Sequence, residues 1–173
     1  MSSPVPPDWD AVFAYQLPRV YNYVLYRVNN QQLAEDLTST AFHRAWKSRA
    51  NYRPEIAAVS TWLFTIARRV LIDYYRKNQV KIVPLDSVYD VASDNSTESS
   101  VQSYFEKQEL AAAIAELPAR EQEVVALKYG ADMSHSEIAE LLNISVSNVG
   151  TIANRTVNRL RGLLTQKEVK KHG

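Results

Sequence analysis

Residues 134–164, SHSEIAELLNISVSNVGTIANRTVNRLRGLL, decide how this chain is read. Ser134 followed three residues later by Glu137 is the spacing of a capping box, in which each side chain satisfies a backbone N–H at a helix start. Ile138, Leu141 and Leu142 give the helix that follows one apolar face. Asn143-Ile144-Ser145 ends it as a turn, and either Ser145 or Ser147 can cap the next helix. At about 100° per residue the second helix sorts into two faces. Val149, Ala153, Thr156, Leu160 and Leu164 fall on one, and Ser147, Asn148, Thr151, Asn154, Arg155 and Asn158 on the other. A face that is only solvated usually carries Lys and Glu. This one holds short hydrogen-bonding side chains and a single Arg. Asn and Arg can make paired hydrogen bonds to adenine and guanine edges in a major groove, and short neighbours let a helix sit close to them. The pattern favours a helix-turn-helix whose second helix reads DNA over a bland solvated face.

The whole chain bounds the alternatives. Its 173 residues suffice for one domain or two small ones. It has no Cys, so neither a disulfide framework nor a Cys-based metal site is available. His43, His135 and His172 share no ligand spacing and read as surface residues. With four Gly there is no phosphate-cradling loop, and no nucleophile–base pair is suggested, so no catalysis, cofactor or metal is expected. The start, MSSPVPPDWD, lacks the charged and apolar regions of a signal peptide. No apolar run approaches the ~20 residues of a membrane span. No membrane insertion is expected, and the expected compartment is the cytoplasm. The net charge of +1 points to no partner, but its distribution does. Residues 1–79 and 145–173 are basic, while 80–104 and 105–144 are acidic, so two basic segments alternate with two acidic ones.

Helical periodicity dominates and no strand pattern is found. A first helix is expected from Asp8 to about Val28, interrupted or kinked near Pro18. Asn29 is placed to cap a second, running to about Ser48, and Ser60 opens a third that ends near Asn78. The pattern then stops. VKIVPLDSVYDVASDNSTESS, residues 80–100, carries Pro, Ser, Asp and Asn with little periodicity and reads as an acidic linker. Helices resume at about Val101–Glu116 and, after Pro118, at Ala119–Tyr129. The fold class is therefore all-α: two small helical domains, about 9–79 and 103–167, joined by a flexible linker over 80–102, the C-terminal one a helix-turn-helix.

The third helix, STWLFTIARRVLIDYYRKN, carries Leu63, Ile66, Ala67, Val70 and Tyr74 on its core face. Thr61, Trp62, Thr65, Arg68, Arg69 and Arg76 lie on or beside the other. Arginines grip phosphates, and an exposed Trp offers an unpaired base a surface on which to stack. A solvated basic face with Trp62 tucked into the core fits about as well; a DNA-reading domain on the same chain tips the balance. In the second helix Leu37, Ala41, Phe42, Ala45 and Trp46 form a broad apolar arc, while Asp36, Ser39, Thr40, His43 and Lys47 face away. That mixed-charge surface suits solvent or a protein partner, and periodicity does not choose between them.

In this order the residues resemble the extracytoplasmic-function sigma factors of bacteria, small initiation subunits of RNA polymerase. LAEDLTSTAFHRAW, residues 33–46, is similar to their polymerase-binding helix, and STWLFTIARRVLIDYYRK, residues 60–77, to the helix that engages the minus-ten element. Residues 109–164 resemble sigma region 4, which binds the minus-thirty-five element. The chain departs from the pattern at Thr40, where relatives often carry an acid, and at Gly150, which costs up to ~1 kcal/mol of helix propensity early in the recognition helix. No extra C-terminal domain of the kind some relatives carry is expected.

The resemblance implies a division of labour. Core polymerase binds Asp36, Ser39, Thr40, His43 and Lys47. The loop from Arg49 to Val59, with Asn51, Tyr52 and Arg53, captures a base flipped from the melted minus-ten strand, and Thr61, Trp62, Thr65, Arg68, Arg69 and Arg76 hold adjacent DNA. Ser147, Asn148, Thr151, Asn154, Arg155 and Asn158 read the upstream element as duplex. The acidic linker threads the polymerase channel, and an anti-sigma factor is a further implied partner. Two competing readings are a stand-alone helix-turn-helix regulator and a DNA recombinase. The first predicts tight duplex binding without polymerase, the second DNA cleavage. Two different DNA-binding domains on one chain favour a directional site over the palindrome a symmetric dimer reads.

Overall fold

In a computed structural model the described residues, 4–78 and 98–173, are helical with no strand among them. The first helix, α1 (Trp9–Val28), starts at Asp8, whose carboxylate accepts from the Ala11 N–H at 3.2 Å. It runs unbroken through Pro18, where an interruption or kink was expected. The proline removes one hydrogen bond, to the carbonyl of Ala14, and both residues are exposed, so water can serve that oxygen. Asn29 does not cap the second helix. It takes a left-handed conformation (φ 48°) that ends α1, and Asn30 caps α2 (Gln31–Ser48) by accepting from Leu33 N–H at 2.9 Å. Two adjacent asparagines thus divide the stop and the start between them. A 3₁₀ turn over Arg49–Asn51 leads into the loop before α3 (Val59–Asn78).

The interdomain linker expected over 80–102 lies largely outside the described residues, which resume in α4 (Glu98–Ala115), so helix already occupies the segment's last residues. After Pro118 comes α5 (Ala119–Val125), which continues into a π-helical turn over Ala126–Gly130 instead of a regular helix to Tyr129. The expected turn and caps then follow. Ser134 Oγ accepts from Glu137 N–H at 3.1 Å while Glu137 accepts from Ser134 N–H at 2.8 Å, a complete capping box at the start of α6 (His135–Leu142). Asn143, at φ 55°, ends α6, and Ser145 rather than Ser147 caps α7 (Val146–His172).

The helices form an N-terminal set, α1–α3, and a C-terminal set, α4–α7, and the two sets share a core. Tyr23, Val24, Leu63 and Phe64 belong to the same buried cluster as Val124, Leu127, Ile138 and Val149. Polar bonds cross the same boundary. Arg19 Nε donates to the Ala131 carbonyl at 2.8 Å, Tyr23 Oη to Glu123 at 2.8 Å, and Arg68 Nε to the same Glu123 oxygen at 2.8 Å. At Gly130 a Cβ would meet the Asn22 carbonyl oxygen at 3.0 Å and the Tyr26 ring at 3.1 Å, so a side chain there would press the π turn away from α1.

The α6 start depends on its cap more than a longer helix would, because eight residues gain little from helix propensity alone. Ser134→Ala is expected to cost ~1 kcal/mol of stability, read as a lower thermal midpoint without loss of the helical circular dichroism spectrum at 20 °C. An unchanged midpoint would mean the box contributes nothing.

Candidate nucleic-acid interface

The recognition helix α7 presents all six of its sequence-selected polar residues, Ser147, Asn148, Thr151, Asn154, Arg155 and Asn158, to solvent. Val149, Ile152, Ala153 and Thr156 are buried beneath them. Thr156 needs no partner beyond its own helix, because its hydroxyl donates to the Ile152 carbonyl at 2.7 Å. Gly150 sits against the His135 ring, with room for a Cβ at 3.7 Å, so this glycine is not forced by crowding.

What the sequence did not reveal lies under the arginine. Glu121 on α5 is 2 % exposed. Arg155 Nε donates to its Oε1 at 2.9 Å, and Arg159 Nε stands 3.0 Å from its Oε2. A buried carboxylate is stable only when such charges answer it. Arg155 therefore does two jobs: it neutralises Glu121 and is held by it in a fixed pose, with 55 % of its side chain still open to a ligand. The pairing spans 34 residues, and no periodicity in the sequence could have announced it.

The second basic surface is less open than the sequence suggested. Arg69 and Arg76 are exposed, Thr65 and Arg68 are half-buried, and Thr61 is buried. Thr61 thus has almost no surface to offer DNA, and its carbonyl accepts from the Thr65 hydroxyl at 2.7 Å. Trp62 is not a free platform either. Its ring lies 5.2 Å from that of Tyr52 and 5.4 Å from that of Trp9, and Trp9 and Tyr52 are 5.7 Å apart, so the three rings close on one another. Tyr52 also donates its hydroxyl to the Ala57 carbonyl at 3.0 Å, fixing the loop between α2 and α3. Burial, and then the nearby Glu55 carboxylate, hold the Tyr52 hydroxyl above its usual pKa. In that loop Asn51 and Arg53 are exposed, and Arg49 stacks its guanidinium 3.5 Å from the centre of the Trp46 ring. Beside Tyr52 opens a cavity of about 390 Å³, walled by Pro6, Pro7, Trp9, Arg49 and Pro54 among others. Trp9 was missed in the sequence, although its spacing of four from Phe13 puts both on one side of α1, where their rings meet at 5.9 Å.

On α2 the residues Asp36, Ser39, Thr40, His43 and Lys47 are all exposed. The Thr40 hydroxyl donates to the Asp36 carbonyl at 3.0 Å. Next to Ser39 runs a largely apolar groove of about 550 Å³ between α1 and α2, formed by Leu17, Pro18, Tyr21 and Phe42 with Glu35 and Thr38. One sign of it is legible in the residues: Leu17-Pro18 is an apolar pair on α1, and Leu17 is 49 % exposed among the described residues. Among the described residues no group of three His, Asp or Glu side chains is placed to hold a metal ion, and no helix is long and apolar enough to cross a membrane.

An exposed polar face on α7 after a capped α6, with a basic and aromatic surface on α3 and its preceding loop, is the arrangement expected of a DNA-binding transcription protein. Comparison with known proteins gives the same class. The family model of Sigma-70 region 2 matches residues 12–80, and that of Sigma-70, region 4 matches residues 107–160. The RNA polymerase sigma factor CarQ of Myxococcus xanthus is 30% identical over 161 residues, covering 93% of this chain and 91% of that protein. The ECF RNA polymerase sigma factor SigM of Bacillus subtilis is 29% identical over 154 residues, covering 89% of this chain and 93% of that protein. Among solved structures, the sigma factor RpoE of Bartonella quintana, in complex with the anti-sigma factor NepR, shares the fold at a TM-score of 0.70 and 21% identity. It covers 91% of this chain and 97% of that one. The chain belongs to the sigma-70 family of RNA polymerase sigma factors, in its extracytoplasmic-function group.

The double role of Arg155 separates two substitutions that the sequence would treat alike. Arg155→Ala leaves Glu121 with Arg159 alone, so it is expected to lower the urea midpoint as well as affinity for the upstream element. Asn158→Ala is expected to lower affinity only, by ~1–3 kcal/mol if the contact is bidentate to a base. Equal stability of the two variants would show that Arg155 is not needed to hold Glu121.

Proposed function

We propose that this protein binds core RNA polymerase through α2, carries it to promoters by reading a minus-thirty-five element with α7, and helps open the minus-ten region with α3 and the loop before it. The observation that carries this reading is the pairing on one chain of an exposed polar face on α7 and a basic, aromatic surface on α3 with a third, mixed-charge face on α2. A single-surface regulator has no use for the other two. Residues 9–79 would act as region 2 and 103–167 as region 4, with the acidic segment 80–102 between them.

The chemistry of each surface suits its part. On α7, Ser147, Asn148, Thr151, Asn154 and Asn158 are short enough to lie against base edges, and Arg155 is held ready by Glu121. The cavity beside Tyr52 has room for a nucleobase and offers it aromatic and proline walls with Arg49 at the rim, while Asn51 and Arg53 can meet its edge and phosphate. Arg69 and Arg76, with Thr65 and Arg68, would hold the neighbouring strand; Thr61 and Trp62 support that surface from below. On α2 the exposed Asp36, Ser39, Thr40, His43 and Lys47 lie on the helix whose Glu35, Thr38, Ser39 and Phe42 line the apolar groove, giving a polymerase surface both charges to select and a trough to fill. The protein performs no reaction of its own in this scheme and works in the cytoplasm, where polymerase and chromosome are found. An anti-sigma factor, as in the solved complex of the Bartonella quintana relative, is its expected regulator.

Run-off transcription with purified core polymerase on a library of promoter fragments tests the reading. Transcripts from a consistent pair of elements are expected only when the protein is added. Asp36→Arg with Lys47→Glu is expected to abolish them while leaving the circular dichroism spectrum unchanged, since both residues lie outside the core. Tight, sequence-specific duplex binding without polymerase, and no transcripts with it, would point to a stand-alone regulator.

A further inference from the structure

We infer that Arg49, clamped on the Trp46 ring, selects which base enters the cavity beside Tyr52, and that it favours a base with two adjacent hydrogen-bond acceptors on one edge. The inference rests on the assignment of that cavity to a base turned out of the melted strand. Arg49 stands apart from the other arginines of the N-terminal set. Arg19, Arg27, Arg44, Arg53, Arg68 and Arg76 each lie within 3.9 Å of a carboxylate, and Arg69 is open to water. Arg49 is half-buried, and among the described residues no carboxylate answers it. Trp46 supplies both of its partners. The guanidinium carbon lies 3.5 Å from the centre of the indole ring, and Nη1 donates to the Trp46 carbonyl at 2.6 Å. A cation taken partly out of water with no counter-charge costs free energy, which a ligand rich in acceptors recovers.

The clamp decides what Arg49 has to offer. Trp46 covers one face of the guanidinium and is not a wall of the cavity, whereas Arg49 is. The Trp46 carbonyl takes a donor at Nη1, and no other described residue takes another. The fork that remains is planar, carries donors only, and is held by both ring and carbonyl, so it loses little freedom on binding. The rest of the wall brings no competing charge. Pro4, Pro6, Pro7 and Pro54 have no backbone N–H, and the Tyr52 hydroxyl is given to the Ala57 carbonyl. Such walls meet the faces of a base, and Arg49 meets its edge. A fork of donors matches an edge where two acceptors stand side by side, as N3 and O2 of cytosine or O6 and N7 of guanine do. Adenine sets its amino donor beside both N1 and N7, and thymine sets N3–H between its two carbonyls, so either base leaves the fork half used.

Bubble templates built on a promoter selected by run-off transcription test this in the complex with core polymerase. Each position of the unpaired minus-ten strand is varied in turn among the four bases and an abasic residue, and affinities are read by competition. At one position the wild-type complex is expected to hold cytosine or guanine about tenfold more tightly than adenine, thymine or an abasic residue. Arg49→Lys keeps a cation but loses the fork, and is expected to remove that preference. Trp46→Ala is expected to weaken it, while Trp46→Phe, which leaves a ring face under the guanidinium, retains most of it. An Arg49→Lys complex with the wild-type preference would overturn the inference. So would an equal loss of affinity on every template, the abasic one included, which is the mark of a phosphate contact. Tyr52→Ala separates the inference from the assignment beneath it. If Tyr52→Ala erases the preference and Arg49→Lys does not, the cavity holds the base and the role of Arg49 alone falls. If neither variant alters the preference at any position, the assignment of the cavity falls with it.

Discussion

Two paired carboxylates of α5, Glu121 buried and Glu123 half-buried, tie this helix to α7 on one side and to α1 and α3 on the other. Glu121 and Glu123 lie two positions apart and so point to nearly opposite sides of the helix. Glu121 is neutralised by Arg155 and Arg159 of the recognition helix; Glu123 is paired with Arg68 and Arg27 of the N-terminal set and accepts a hydrogen bond from Tyr23. Seven residues would not persist as a helix in water. Val124 and Val125 bury the same segment in apolar surroundings, and the charged neighbours on both sides give its acids partners. The placement of α7 and the docking of α1 and α3 both pass through this one element.

How much of this could be read from residues alone follows the range of the interaction. The capping box at Ser134 and Glu137 and the turn at Asn143 are satisfied within three or four residues, so spacing was enough to place them, while the cap of α7 stayed open between Ser145 and Ser147 until the structure showed Ser145. The two faces of α7 were legible for the same reason. Asn29 was expected to cap α2, and only the backbone showed that it takes a left-handed φ and ends α1 while its neighbour Asn30 caps. The continuity of α1 through Pro18 turned on exposure, which composition does not state. The pairs from Arg155 to Glu121 and from Arg68 to Glu123 cross 34 and 55 residues and leave no periodic trace. For that reason Arg68 and Trp62 read as open DNA contacts, when one is bonded to a carboxylate and the other is enclosed by Trp9 and Tyr52.

The same long-range contacts give the surfaces their different characters. The polar α7 face is exposed, and its arginine is bonded from below to Glu121. The α3 surface and its loop are lined with aromatic rings and a cavity, chemistry better matched to unstacked bases than to an intact duplex. The α2 face combines charge with an apolar groove, as protein interfaces do. One chain thus carries three chemically distinct surfaces around a shared core.

Whether the two helical sets share one core can be measured by unfolding the 173-residue chain in urea with two probes. Trp9, Trp46 and Trp62, the only tryptophans, all lie in α1–α3, so their fluorescence reports the N-terminal set, while far-ultraviolet circular dichroism reports every helix. A shared core predicts coincident transitions with one midpoint and one slope. A fluorescence transition displaced from the dichroism transition, or a dichroism curve with two steps, would contradict it and leave the two sets as independent domains.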